Sequence, residues 1–395
     1  MKKKISVAVI LLFMLVCICS TLFPCSLQTV HAESAQQAEE KLNESILGLI
    51  DELDLQALQD YIDSLDGVGK VRVKDRLLSF IKGDTFEYEG FVRRLVSVLF
   101  GNIREILPAF ACIAAIALLS GLLSALKSGT LANTSADMIF LISYVSALIP
   151  LLGILTECVE KATGSVNAMQ RQMQILFPLL LTLMATSGGT ISVTVCRPAV
   201  AFFSTTIVST VSSVIFPITL TIMVFSIASN LTKDLKMNKF GAFFKGINKW
   251  LIGISVSVFG LFFTLQGITA STYDGVVRRT VKYAIGNGIP IVGGFLSGGF
   301  DLAVAGSILI KNSLGSMSIF LMISVLFEPI VLLVAVNVML RFTSAVTQPF
   351  GDSRISDFLG ETADNLNYCT AGVLFTAFLY FLCIVMMVTV SEALF

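Results

Sequence analysis

Histidine and charge are both scarce in this 395-residue chain. It has one histidine, His31, and only 14% of its residues are charged, against roughly 25% in ordinary soluble domains. Because histidine is the commonest general base and metal ligand, its scarcity excludes the usual hydrolase triads. The eight cysteines contain no CxxC pair, so neither a zinc site nor a disulfide framework is predicted.

An excess of charge of one sign is also missing. Lys plus Arg and Asp plus Glu number 27 each, so no overall field attracts nucleic acid or a cationic partner. What the chain has instead is 55% hydrophobic residues, which predicts the lipid bilayer as its main environment. No paired Asp motif, HExxH or Ser/His dyad is present, so the sequence predicts a protein that is not an enzyme and needs no cofactor.

The N-terminus has the features of a secretory leader. Three lysines precede an apolar run over residues 5–22, and Val30-His31-Ala32 resembles a signal-peptidase site, which predicts a signal peptide over residues 1–32. An uncleaved membrane anchor is the alternative, because the apolar run is long for a leader. Both interpretations put residue 33 outside the cytoplasm.

Residues 33–105 are predicted to form an extracytoplasmic segment of amphipathic helices. Residues 33–66 carry ten acidic residues and one basic residue, and apolar residues recur at helical spacing over 46–65, 71–81 and 91–106, with Gly67 and Gly69 ending the first of these helices. Such helices either pack on the protein's own membrane domain or lipid headgroups, or dock a partner outside the membrane.

Residues 106–395 are predicted to be an all-α, polytopic membrane domain, because a spanning helix needs about 20 mainly apolar residues. The clear candidate spans are residues 106–126, 138–156, 251–270, 316–340 and 369–390. The amphipathic stretch within 346–368 predicts an interfacial helix.

Two further apolar regions are interrupted by glycine and proline, and they raise the hypothesis of an internal repeat. In residues 138–228 a Ser-Gly-Gly triplet lies between Pro178 and Pro217, and in residues 251–340 another lies between Pro290 and Pro329. Both pairs of corresponding prolines are offset by 112 residues in sequence. Chance coincidence in apolar sequence is the alternative. The predicted helix-breaking residues are Pro178, Pro217, Pro290, Pro329, Gly298 and Gly299.

The distribution of lysines leaves two topologies open. Residues 229–250 are rich in lysine and are predicted to be cytoplasmic, but eight full spans with an outside N-terminus would place them outside. The conflict disappears if residues 174–198 and 283–310 are re-entrant hairpins, which leaves six spans. Both topologies put the C-terminus outside.

Polar residues in apolar segments are candidate functional residues, because a charge in lipid is costly and usually faces the protein interior. These residues are Glu328, Asp301, Asn337 and Arg197. One hypothesis is that Glu328 and Asp301 line a polar path between the repeats; the alternative for each is a structural ion pair or a hydrogen-bonded kink. For Lys311 and Arg197 the alternative is that these residues lie at a membrane surface.

Several stretches resemble the stage III sporulation protein AE family of endospore-forming Firmicutes. The resemblance depends on the leader, the acidic helical segment and three motifs: residues 288–299 (GIPIVGGFLSGG), residues 310–315 (IKNSLG) and residues 327–330 (FEPI). It extends over nearly the whole mature chain, and it carries no catalytic signature.

The resemblance implies a membrane subunit of a channel or secretion-like complex in the mother-cell-derived membrane around the forespore. Its implied partners are other membrane and ring-forming subunits and a separate ATPase subunit, since this chain has no phosphate loop. The alternative function is that of a secondary transporter for a small solute, acting through a polar path near Glu328 and Asp301.

Overall fold

The computed structural model describes residues 32–65, 72–82, 88–127, 133–231, 237, 239–262, 293–349 and 353–389. These residues form helices and connecting turns, with no strand among them. In chain order the helices are α1 (Ala32–Glu52), α2 (Gln56–Asp63), α3 (Val73–Lys82), α4 (Tyr88–Lys127), α5 (Asn133–Thr186), α6 (Thr190–Thr210), a π-helix (Val211–Ile215), α7 (Phe216–Leu231), α8 (239–262), α9 (Gly293–Thr347) and α10 (Ser353–Thr389).

The chain divides into two compact units, residues 1–44 and residues 45–395. In the first unit the described residues 32–44 form the beginning of α1. The rest of α1 and all the other helices belong to the second unit.

In the part of the chain that the structure describes, five helical segments are long and apolar enough to cross a membrane, which confirms the predicted all-α, polytopic fold. They are Val96–Leu123, Met138–Thr186, Ser192–Leu231, Asp301–Thr347 and Arg354–Thr389. Three of the five predicted spans, 106–126, 138–156 and 316–340, lie inside helices that are much longer than the predictions. The predicted span 369–390 lies in α10 as far as residue 389, where the described residues end. The fifth, 251–270, is helical up to residue 262, where the described residues end.

The long helices pack side by side along most of their length. α9 packs against α4, α5 and α10. Lys161 of α5 contacts Glu328 of α9, and Thr186 at the end of α5 contacts Ser307, earlier in α9. A residue later in α5 thus contacts a residue earlier in α9, which shows that the two helices run antiparallel.

Helix α10 is the most buried of the membrane-type helices, because it packs against α9, α5 and α7. Its contact with the π-helix depends on Gly372. A Cβ atom at Gly372 would lie 2.9 Å from Phe216 Cε1 and 3.3 Å from Val211 Cγ1, closer than a side chain allows. Glycine therefore permits the close approach of α10 to the π-helix.

The turn between α5 and α6 has the hydrogen bonds of a Schellman motif. The backbone N–H of Gly189 donates to Met184 O (2.9 Å), and that of Gly188 donates to Ala185 O (3.1 Å). Gly188 has a φ of 91°, which a residue with a side chain rarely adopts. Ser187-Gly188-Gly189 thus forms the turn of a helix–turn–helix, within the region 174–198 that one of the two predicted topologies treats as a re-entrant hairpin.

The second region interrupted by glycine and proline, residues 283–310, contains no turn in its described part. From Gly293 onward the described part of 283–310 is helical and continues into α9 without a turn, so Gly298 and Gly299 do not break a helix. Because Ser187-Gly188-Gly189 forms a turn and residues 297–299 are helical, the two triplets differ in structure. The internal repeat stays a prediction.

Prolines interrupt the helices less than the sequence predicted. α5 continues through Pro178 and α9 through Pro329, while Pro217 is the second residue of α7, directly after the π-helix. Proline costs a helix about 3 kcal/mol by removing one backbone hydrogen bond, and packing along helices of this length offsets it. Pro290 lies outside the described residues.

Two amphipathic stretches also depart from their predictions. The predicted helix over 46–65 is interrupted at Leu53–Leu55, where Asp54 Oδ1 accepts a hydrogen bond from the backbone N–H of Gln56 (3.2 Å) and competes with the helical bonding. The predicted interfacial helix is wrong: from Ser353 it is continuous with the last apolar helix, and its apolar residues Ile355 and Phe358 are buried in protein.

Candidate functional site: polar clusters between the long helices

Glu328 forms an ion pair with Lys161 across the α5–α9 interface. Lys161 Nζ donates to Glu328 Oε1 at 2.6 Å, and both side chains are about half exposed, at 47% and 53%. Exposed pairs of this kind contribute roughly 0–1 kcal/mol. Sequence analysis identified Glu328 but missed Lys161, because the partners are 167 residues apart and only the antiparallel packing joins them.

Three more polar contacts follow the same interface. Ser165 Oγ donates to Val325 O (3.4 Å), and Gln172 Nε2 donates to Ser318 O (3.1 Å). Thr186 Oγ1 donates to Ser307 Oγ (3.0 Å). Together with Lys161–Glu328 they form a line of polar contacts along α5 and α9, which no composition or motif indicated.

Lys311 lies in α9 between the Ser307 and Ser318 contacts and is completely buried. The expectation that it marks a membrane surface is therefore wrong. A lysine with no exposed surface cannot reach a membrane–water interface. The expectation was based on the position of Lys311 as a single charge within an apolar run.

Asn337 bridges α9 and α10. Its Nδ2 donates to Ala363 O (2.5 Å) and to Asn367 Oδ1 (3.3 Å), while its Oδ1 accepts from Arg341 Nε (3.0 Å). Arg341 Nη2 in turn pairs with Asp364 Oδ1 at 2.7 Å. The sequence identified Asn337, and the structure surrounds it with three further polar side chains that sequence analysis did not select.

A second acid, Glu361, is held between α10 and α7. Its Oε2 accepts hydrogen bonds from Ser226 Oγ (2.6 Å) and Asn230 Nδ2 (3.1 Å). Sequence analysis had assigned Glu361 to the polar side of an interfacial helix. The signal that could have found it is the pair Ser226 and Asn230, which are one helical turn apart and end an apolar helix.

The structure does not bring Asp301, Glu328 and Arg197 together. Asp301 and Glu328 lie in the one continuous helix α9, and their 27-residue separation in sequence corresponds to roughly 40 Å along the axis and to opposite helix faces. Arg197 is exposed on α6. A single polar path lined by both Asp301 and Glu328 is therefore not supported.

The N-terminal amphipathic helices pack on the protein's own long helices, which was one of the two predicted alternatives. Tyr61 of α2 donates from its hydroxyl to Ala168 O (3.3 Å) of α5. The Arg76 guanidinium of α3 lies 5.3 Å from the ring centroid of Phe320 in α9. These contacts hold α2 and α3 on the half of the bundle that contains residues 168 and 320.

Burial shifts the pKa of both contact residues. It raises the pKa of Tyr61 to about 12, although Arg171 acts in the opposite direction, so Tyr61 stays a neutral hydrogen-bond donor. Burial also lowers the pKa of Arg76, since desolvation disfavours its charged form.

No group of three His, Cys, Asp or Glu side chains that could hold a metal ion occurs in the part of the chain that the structure describes. Among the described cysteines, Cys158, Cys196, Cys369 and Cys383 are buried, Cys112 is exposed, and all five are free thiols. The polar clusters can stabilise helix pairs or face a polar space, and they contain no arrangement for covalent or metal chemistry.

Comparison with known proteins identifies a family and a relative that belong together by name. A family model described as stage III sporulation protein AE matches residues 71–391, which include α3 to α10 and every polar cluster. Stage III sporulation protein AE of Bacillus subtilis strain 168 is 23% identical over 365 residues, covering 92% of this chain and 90% of that protein. No solved structure matches the chain.

Proposed function

Because the chain belongs to the stage III sporulation protein AE family, we propose that it is a membrane subunit of a multiprotein channel or secretion-like complex between mother cell and forespore. Family membership supports a role in sporulation, and the apolar helices support a multi-pass membrane protein. The complex and its location in the mother-cell-derived membrane around the forespore are the proposed part.

The length of the helices carries this proposal. α5 has 54 residues and α9 has 55, which corresponds to roughly 80 Å each at 1.5 Å per residue. The hydrocarbon core of a bilayer is only about 30 Å thick. Helices of this length extend well beyond one bilayer, as a subunit requires if it is to contact proteins outside its own membrane.

The proposed partners are other membrane and ring-forming subunits of the same complex. A separate ATPase subunit would supply energy, because the chain has no phosphate-binding loop. Exposed acidic residues at the end of α1 and in α2, namely Asp51, Glu52, Asp60 and Asp63, offer a polar contact surface for such partners.

A solitary secondary transporter is the less well supported alternative. It required a polar path shared by Glu328 and Asp301, and these residues lie about 40 Å apart on one helix. Glu328 is instead paired with Lys161 at 2.6 Å. A structural ion pair accounts for Glu328 without a transport site.

Co-isolation tests the proposed complex. We expect the tagged full chain, purified in mild detergent from sporulating cells, to bring with it membrane and ring-forming sporulation proteins. A tagged multi-pass protein of unrelated function from the same cells is the control. Isolation of the chain alone, together with proton-linked solute uptake after reconstitution in liposomes, would contradict the proposal and support the transporter.

The Lys161–Glu328 pair can be tested separately by sporulation frequency. If the pair acts structurally, Glu328→Gln should leave the protein level and the yield of heat-resistant spores within about twofold of wild type, because a half-exposed pair contributes little free energy. Loss of spores at a normal protein level would return Glu328 to the set of functional residues.

A further inference from the structure

The outer surface of α5 changes character halfway along the helix. From Met138 to Leu152 the exposed positions include large apolar side chains, namely Met138, Leu141, Ile142, Val145, Ile149 and Leu152. From residue 156 to residue 182 no large apolar side chain is exposed. The exposed residues there are polar or small, among them Thr156, Glu160, Asn167, Arg171, Gln174 and Thr182.

Helix α9 shows the same change at Pro329, in the opposite direction along the chain. After Pro329 it exposes an apolar stripe, Val334, Val338, Phe342 and Val346. Between Asp301 and Glu328 the exposed large apolar side chain among the described residues is Leu309, at 37%.

The stretch from α6 through α7 repeats the pattern with its transition at the π-helix. The π-helix and α7 expose Val214, Leu220 and Val224. Among the α6 side chains that the structure describes, the exposed ones other than Phe202 are polar or small, such as Thr194, Arg197, Thr205 and Ser209. Three separate segments therefore change from an apolar to a polar surface.

Contacts between the helices place these changes at one level of the bundle. Lys161 of α5 contacts Glu328 of α9, so both helices change surface at that pair. At a second level, Tyr144 of α5 donates to Ile227 O of α7 (2.9 Å), and its ring lies 5.1 Å from that of Phe358 in α10. Seventeen residues separate Tyr144 from Lys161, roughly 25 Å along α5.

The apolar-surfaced half has the thickness of one bilayer. Residues 138–156 of α5 span roughly 28 Å at 1.5 Å per residue, close to the roughly 30 Å of a hydrocarbon core. α4 and α8 also expose apolar side chains in this half, including Leu119, Leu122, Trp250 and Val258. α4 exposes Val96 and Phe100 outside this half as well, so it does not share the change of surface. Within the apolar half, the polar group Glu361 has hydrogen-bonding partners in the protein, as lipid surroundings require. Asp364 is paired with Arg341 and is 64% exposed.

We propose that only this half lies in the bilayer, and that residues 157–186, 190–212, 301–328 and 373–389 form a helical bundle in the extracytoplasmic aqueous space. Their apolar side chains are buried against one another rather than against lipid. In α10, for example, Val373, Leu379, Tyr380 and Ile384 are completely buried. The bundle has the apolar composition of membrane helices and the polar surface of a water-soluble domain.

Two independent features fix the orientation. Lys239 at the start of α8 and Arg354 at the start of α10 lie at the end of the apolar half away from the Lys161–Glu328 level, and basic residues favour the cytoplasm. At the other side, α2 and α3 pack on Ala168 and Phe320, within the proposed aqueous bundle. The helices α4, α5, α7, α9 and α10, which contain the five membrane-type segments, then cross the bilayer together with the predicted span that begins in α8. Lys239, within the lysine-rich residues 229–250, is then cytoplasmic.

Cysteine labelling of the full chain in intact cells tests this arrangement, in a Cys112→Ser background that removes the exposed native thiol. Gln174→Cys and Thr182→Cys are the test variants, Ile142→Cys and Ile149→Cys on the same helix are matched controls, and Lys239→Cys reports the cytoplasmic side. The probes are a small membrane-impermeant maleimide and a bulky polyethylene glycol maleimide that cannot enter a membrane pore.

We expect both probes to label positions 174 and 182 at least tenfold more than positions 142 and 149, and position 239 to react only after permeabilisation. Labelling of 174 and 182 by the small probe alone would indicate a pore within the membrane and overturn the proposal. No labelling there would indicate lipid or a tight contact with a second copy, and it would overturn the proposal as well. Labelling only after permeabilisation would reverse the orientation and refute it.

Discussion

At the scale of single residues, the polar side chains of this protein act mainly in pairs formed by distant parts of the chain. Glu361 accepts from Ser226 and Asn230, which precede it by 135 and 131 residues. Asn337 contacts Ala363 and Arg341 pairs with Asp364. Each pairing satisfies a polar group that would be costly in an apolar surrounding.

Removal of the Glu361 carboxylate should destabilise the α7–α10 contact. Glu361→Ala leaves the buried hydroxyl of Ser226 without its acceptor, and it removes one of the two hydrogen bonds that Asn230 Nδ2 donates. We expect the free energy of unfolding to fall by roughly 1–3 kcal/mol, the cost of unsatisfied buried polar groups. Thermal unfolding in detergent measures the effect.

Asp357→Ala is the control for Glu361→Ala, since Asp357 is exposed one turn earlier on the same helix. Its unfolding temperature should remain close to that of wild type. Equal losses for the two variants would show that the hydrogen bonds of Glu361 contribute nothing specific.

At the scale of helices, the packing of α10 depends on its close approach to the π-helix. The π-helix widens the turn at Val211–Ile215, and Gly372 of α10 lies against it with no room for a side chain. π-Helical turns of this kind are rare and often occur at functional positions. The contact lies near the level where the surfaces of α5 and α9 change from apolar to polar.

Gly372→Ala should therefore overpack this contact. Its Cβ would lie 2.9 Å from Phe216 and 3.3 Å from Val211, and overpacking typically costs about 1–3 kcal/mol. Gly164→Ala in α5 is the matched control, because its Cβ would meet no atom within 4 Å and alanine favours a helix by about 1 kcal/mol over glycine. Chemical unfolding of both variants in detergent should give shifts of opposite sign; a neutral Gly372→Ala would argue against a tight π-helix contact.

At the scale of the whole molecule, the same long helix passes from a lipid-facing surface to a water-facing one. Ile149 is 69% exposed in the first part of α5, whereas the exposed residues beyond Thr156 are polar or small. Introducing an aspartate should therefore affect membrane insertion very differently in the first and the second part of α5.

Ile149→Asp and Thr182→Asp make this comparison. Aspartate at the centre of a membrane helix costs roughly 2.5–3.5 kcal/mol of insertion free energy, so Ile149→Asp should strongly reduce the amount of protein in the membrane fraction. Thr182→Asp adds a charge to a water-facing surface and should change stability by about 0.5 kcal/mol or less. Quantitative blotting of membrane fractions measures both, and equal losses would contradict the two-part arrangement.

Much of the architecture could be predicted from sequence because it depends on local composition. Apolar runs without charge predicted helices and a membrane protein, and the periodicity of residues 71–81 predicted α3. The candidate site could be predicted only in part. Glu328 and Asn337 were found as isolated polar residues, whereas Lys161, Arg341 and Glu361 were missed, because their role depends on partners up to 167 residues away.

The sequence by itself determined that the chain is helical and apolar, that glycine and proline interrupt two of its apolar regions, and that basic residues gather within residues 229–250. Only the tertiary structure decided which apolar residues face outward and which face each other. An apolar residue leaves water equally well against lipid or against protein, so composition alone counts Leu379 and Ile149 alike, although the first is completely buried and the second is 69% exposed.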